Sequence, residues 1–190
     1  MFEKGTYVIY GKRGVCRVED IGAYFKESMH DKKEYYKLSP VFTAGDQVYV
    51  PVETQVYMRE VLTPGEVRDY IEEVEEIPAD TFTCRQQSKL ADHYRRMLDT
   101  NDMRAFLALI KGVYVKQFEA GKKNRKLNQV EQKFLKFAED MAFGEFAVVL
   151  DSTPDEIRSY VRGRVLGQFQ EPGNGNALGK LNYSMQTMGN

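Results

Sequence analysis

The hydrophobic pattern of this chain changes period once, at Thr63-Pro64-Gly65-Glu66. Before that point apolar residues alternate with polar ones, as in Tyr7-Val8-Ile9-Tyr10 and Val48-Tyr49-Val50; after it they recur every three or four residues. Side chains alternate across a strand and return every 3.6 residues on a helix, so a stretch patterned for one cannot bury its apolar set as the other. The chain is therefore expected to be α+β in two domains, all-β first and all-α second.

Strands are expected near 6–10, 14–22, 33–39, 46–52 and 54–58, separated by turn signals at Gly11-Lys12-Arg13-Gly14, Lys26 to Lys33 and Ala44-Gly45-Asp46. Five short strands in about 60 residues fit a small SH3- or Tudor-like barrel. Pro51, directly after Val48-Tyr49-Val50, puts that strand at a sheet edge, because proline cannot donate to a ladder. In the second half, Thr63-x-x-Glu66 with Pro64 between them has capping-box spacing and opens a helix through Ile77. A second helix is expected over 82–98 and a third, started by Thr100-Asn101-Asp102, to about 119. A fourth, capped by Asn128-x-x-Glu131, runs to about 149, and a fifth follows Thr153-Pro154 to about Val165. The expected division is a barrel over 1–60, a helix and joint over 61–80, a basic helical domain over 81–166, and a flexible Gly-, Asn- and Gln-rich tail over 167–190.

The net charge of −1 conceals a strong asymmetry. Residues 1–80 carry 10 basic against 16 acidic residues, whereas 81–127 carry 11 basic against 4 acidic, so the helical half is the part suited to meet a polyanion. Its cations are Arg85, Lys89, Arg95 and Arg96 on the second helix and Lys122, Lys123, Arg125 and Lys126 in the loop before the fourth. Chemistry is harder to find. The two histidines, His30 and His93, fall in different halves, and Cys16 and Cys84 are too few for a zinc site or a disulfide framework. The Gly11–Gly14 turn lacks the length and following helix of a phosphate-binding loop. The glutamates at 72, 73, 75 and 76 are expected to form a solvated helix face. No run is long and apolar enough to span a bilayer, and Met1-Phe2-Glu3-Lys4 does not open a secretory leader. The expectation is a cytoplasmic binding protein, not an enzyme, with no cofactor and no metal.

The residues also carry a resemblance. Phe2-x-x-Gly5-x-x-Val8-x-Tyr10, Gly14-x-x-x-Val18, Lys33-Glu34-Tyr35-Tyr36-x-Leu38 and Val48-x-Val50-Pro51-Val52-Glu53 are similar to the opening domain of the CarD/CdnL bacterial transcription regulators. The same domain type occurs in transcription-repair coupling factors. In the second half Tyr94, Asp102, Leu127-x-x-x-Glu131 and Gly144-Glu145 continue the likeness, which extends over roughly 1–150. It implies docking on the β subunit of RNA polymerase by strand addition, with Tyr24, Val48, Tyr49, Val50 and Pro51 as the docking residues. It also implies nonspecific contact of a monomer with promoter DNA phosphates through the basic residues above, together with Lys133.

Three positions depart from the family pattern. Tyr49 stands where a basic residue is common, and Gln132 stands where the family has lysine, with Lys133 adjacent. Gln87 replaces the tryptophan that wedges at the edge of the melted DNA. The chain has no tryptophan, and Phe82, five residues from Gln87, is off the same helical face. The resemblance thus implies modulation of transcription initiation with weakened stabilisation of melted DNA. The alternative it leaves open is a polymerase- or protein-binding module without DNA contact.

Overall fold

The computed structural model describes residues 1–24, 33–43 and 45–167. The turn expected over Lys26 to Lys33 lies almost wholly outside these residues, as do Ala44, His30 and the tail from 168 to 190. The chain divides into two compact units, Met1–Leu62 and Thr63–Asn190, at the point where the hydrophobic period changes.

The first unit is an antiparallel five-stranded sheet in the order β4-β3-β2-β1-β5. Its strands are β1 Tyr7–Tyr10, β2 Val15–Gly22, β3 Tyr35–Pro40, β4 Val48–Pro51 and β5 Met58–Glu60. The β1–β2 connection is a short 3-10 turn at Gly11–Arg13. It depends on glycine at both ends, because Gly11 has φ +47° and Gly14 φ +76°, where a side chain would be strained. That turn sets Tyr7 opposite Arg17 and Val8 opposite Cys16. Alternation then sends Val8, Cys16, Val18, Tyr36, Leu38 and Val50 to one face, where they form a buried cluster edged by Phe2, Tyr10, Val48 and Met58. The Phe2 N–H donates to the Tyr36 hydroxyl at 3.0 Å, which satisfies that buried phenol at the rim of the core.

The second unit consists of five helices, α1 Pro64–Glu73, α2 Gln87–Asp99, α3 Met103–Lys122, α4 Gln129–Val149 and α5 Pro154–Leu166. Capping boxes start α1 at Thr63 and α5 at Thr153, and the Asp102 side chain caps α3. Asn128 caps α4 by accepting from the Val130 N–H at 2.8 Å. The expected reciprocal partner Glu131 faces elsewhere, within 3.5 Å of the Tyr94 hydroxyl and 3.3 Å of Lys116 Nζ. Helix α4 is the centre of the bundle. Every residue from Met141 to Ala147 is buried, Gly144 and Glu145 included, because α1, α2, α3 and α5 all pack against it.

The largest correction concerns residues 74–86. Helix α1 ends at Glu73 instead of Ile77, and α2 begins at Gln87 instead of Phe82. The intervening chain contains Pro78 and the β-branched Val74, Ile77, Thr81 and Thr83, and it is held in non-helical form by α3. Lys111 donates from Nζ to the carbonyls of Val74, Glu75 and Ile77 at 3.1, 2.6 and 2.8 Å, satisfying groups that the end of α1 leaves open. The Asp80 N–H donates to the Ala108 carbonyl at 2.9 Å. That approach needs glycine at 112, since a Cβ there would lie 3.0 Å from both Asp80 N and Asp80 C and would collide with the Asp80 carbonyl oxygen.

Candidate docking edge and basic surface

Strand β4 stands at one end of the ladder, paired only with β3 among the described residues. Tyr36 faces Val50 and Lys37 faces Tyr49, while the Val52 N–H donates to the Glu34 carbonyl at 2.9 Å. In an antiparallel pair every second residue exchanges hydrogen bonds with its partner. Counting back from Val52, the main chains of Val50 and Val48 turn toward β3, and those of Tyr49 and Pro51 turn the opposite way. The side chains divide as well. Val50 is 1% exposed and belongs to the core, and Val48 packs against it, whereas Tyr49 and Pro51 are exposed. Of the expected docking residues, then, Val48 and Val50 are framework, and Tyr49 and Pro51 present the outer edge.

Tyr24 joins them. Its ring meets that of Tyr49 edge-on with centroids 4.9 Å apart, and its hydroxyl donates to Asp20 Oδ2 at 2.6 Å. That hydrogen bond pushes the phenol up to about 12 and is the main reason the Asp20 carboxyl titrates below its usual range. The result is an aromatic pair at the edge, with one member oriented by a carboxylate. The β1–β2 turn is partly engaged elsewhere, since Arg13 pairs with Asp46 at 3.1 Å.

In the helical unit, all the cations expected to meet a polyanion are exposed: Arg85, Lys89, Arg95, Arg96, Lys122, Lys123, Arg125, Lys126 and Lys133. Two are engaged locally, Arg95 with Asp92 at 2.5 Å and Lys122 with Glu119 at 2.8 Å. Arg85 lies just before α2, not within it. The buried Tyr94 ties the middle of α2 to the start of α4, through Glu131 at 3.5 Å and a ring contact with Phe134 at 5.5 Å. Burial is the main cause that holds its phenol neutral far above the ordinary range. Lys116 completes this junction by donating to the Phe82 carbonyl at 2.5 Å and the Tyr94 hydroxyl at 3.0 Å. Tyr94, Glu131 and the α3 cap Asp102 are therefore structural members of the likeness noted above, positioning the basic elements from beneath.

Gln87 is exposed in the first turn of α2. Phe82 is not on that helix at all. Its ring stacks on His93 with centroids 4.1 Å apart and planes at 22°, and His93 Nε2 lies 2.9 Å from Asp80 Oδ1. Gln132 donates from Nε2 to the Leu127 carbonyl at 2.7 Å, so it closes the loop before α4. Sequence reasoning missed the Asp80–His93–Phe82 group and the role of Lys116, because it placed a helix across residues 82–86. Thr81 and Thr83, with Pro78 before them, are the signals that would have argued against it.

Residues 2–62 match the CarD-like/TRCF RID domain family, which coincides with the whole of the first unit. The first unit is accordingly a RID domain of the CarD-like/TRCF type. No curated protein matches the chain. Among the described residues, no group of three or more His, Cys, Asp or Glu side chains is placed to hold a metal ion, and no helix is long and apolar enough to cross a membrane.

Proposed function

We propose that this protein is a CarD-like transcription regulator of the cytoplasm. It docks on the RNA polymerase β subunit through the outer edge of β4 and touches upstream promoter DNA through the basic face of its helical unit, altering the kinetics of initiation. The observation that carries the reading is the coincidence of a RID domain with an exposed edge strand. Strand addition draws its affinity from main-chain hydrogen bonds and asks little of side chains, which suits an edge bearing tyrosine where a basic residue is common. Pro51 and the Tyr24–Tyr49 pair would flank the added strand. The sheet's five short strands and tight β1–β2 turn are compatible with the SH3- or Tudor-like class, although the ladder itself has two ends.

For the DNA contact, exposed lysines and arginines with no ion pair among the described residues, such as Lys89, Arg96 and Lys133, favour phosphate neutralisation without base readout. A second reading, docking without DNA contact, is favoured by one observation: Gln132 is committed to the Leu127 carbonyl and Gln87 offers no apolar wedge. A salt titration of upstream-fork DNA binding in the polymerase complex separates the two. On the first reading Lys89→Ala with Arg96→Ala reduces the log–log slope by roughly two phosphate equivalents, each worth about 0.9. An unchanged slope selects the second.

A further inference from the structure

Between α3, α4 and α5 lies a cavity of about 650 Å³, well within the range of small-molecule sites. Four cationic side chains line it, Arg125, Lys126, Lys136 and Arg158, against one carboxylate, Glu139. That carboxylate is already satisfied. It accepts from the buried Tyr114 hydroxyl at 2.5 Å and from Arg158 Nε at 2.9 Å. Asp155 takes a second nitrogen of Arg158, and Asp140 pairs with Lys136 at 3.0 Å. Arg125 and Lys126 make no ion pair among the described residues, so the cavity mouth keeps an uncompensated positive charge. One wall is apolar, formed by Leu127 and Leu135.

We propose that this cavity binds a nucleoside polyphosphate, with the phosphates on Arg125 and Lys126 and the base against Leu127 and Leu135. Each part of the ligand answers a separate feature. Adjacent unpaired cations select a polyanion over a single carboxylate. The leucine wall gives the nucleoside an advantage over bare phosphate. The volume accommodates base, ribose and phosphates together. Arg125 and Lys126 are also among the cations assigned to DNA above, so the same phosphate chemistry has two sources. The nucleotide differs from DNA in presenting a free base to Leu127 and Leu135, which the stacked bases of a duplex do not.

The test is isothermal titration of the full chain at low salt with GTP, sodium tripolyphosphate and a 20-base-pair duplex. GTP is expected to bind about tenfold more tightly than tripolyphosphate. Arg125→Ala with Lys126→Ala lowers affinity for both by about tenfold or more. Absence of GTP binding at millimolar concentration, equal binding of GTP and tripolyphosphate, or GTP binding indifferent to Arg125 and Lys126 overturns the proposal. Duplex binding that depends on those two cations while GTP does not bind assigns them to DNA alone and overturns it equally. Unchanged duplex binding in Lys89→Ala with Arg96→Ala marks failure of the DNA reading, and GTP binding that still depends on Arg125 and Lys126 leaves this proposal standing.

Discussion

The two units solve the problem of presenting a binding surface in opposite ways. In the sheet, the candidate surface is the strand itself: register sends Val48 and Val50 inward and turns the main chain of Tyr49 and Pro51 outward. Position in the ladder sets which main-chain groups face outward, and the side chains at the edge add to that surface. In the helical unit the candidate surface consists of side chains, cations exposed on α2, the end of α3, α4 and the loops beside them. There the fold's contribution lies lower, in a junction where Lys116, Tyr94 and Glu131 hold α2 beside α4. A surface of the first kind is specified by a few buried residues far from the partner. One of the second kind tolerates loss of any single cation, since phosphate contacts add in small increments.

The sharpest way to break the comparison is Val50→Glu. At 1% exposure Val50 is framework, so the substitution buries a charge and should cost about 4 kcal/mol or more, abolishing the cooperative unfolding of the sheet. A variant that folds normally and merely binds less would return Val50 to the docking surface. Next in size is Gly112→Ala. Helix propensity alone favours alanine by up to ~1 kcal/mol, but the added carbon meets the Asp80 backbone, and we expect a net loss of about 2 kcal/mol in chemical unfolding. A stabilised variant would show that residues 78–82 do not lie against α3. A third effect of similar size, again in the sheet, appears only in alkali. Cys16 is fully buried, and desolvation raises its thiol from the ordinary 9.0 to about 11, with Arg13 opposing. Below pH 9 the thiol is protonated in both folded and unfolded chains. Between about 9 and 11 only the unfolded chain ionises, so stability falls as pH rises, by about 2 kcal/mol. The difference between the parent and Cys16→Ala in guanidinium unfolding at pH 8.5 and 11 isolates that loss; an identical pH dependence in both contradicts the burial.

Much of this fold is legible in local sequence signals. The capping boxes at Thr63 and Thr153 start helices where they predict, and Pro51 marks the edge strand. These features act over three or four residues and need no tertiary partner. What escapes is set by long-range contact. Residues 82–86 carry enough polar, helix-compatible character to read as a first turn, yet Lys116, 34 residues away, takes the Phe82 carbonyl and His93 takes the Phe82 ring. Glu131 sits at capping-box spacing, but its carboxylate is worth more beside Lys116 than at its own helix end. The burial of α4 on nearly every side around Met141–Ala147 likewise depends on four other helices. As for the candidate site, the edge strand is readable from Pro51, whereas its division into inward and outward residues requires the register with β3.

The central claim is that β4 docks through its outward main chain, and Tyr49→Pro tests it most directly. Proline at 49 removes an N–H that turns away from β3, so the sheet should keep its stability to within about 1 kcal/mol. Binding of the full-length protein to a fragment of the RNA polymerase β subunit is then measured for the parent, Tyr49→Pro and Tyr49→Ala. We predict that the proline variant loses about tenfold or more in affinity and the alanine variant only about threefold, because the strand contributes more than the ring. Equal losses in the two variants, or parental affinity in Tyr49→Pro, would contradict docking by strand addition at this edge.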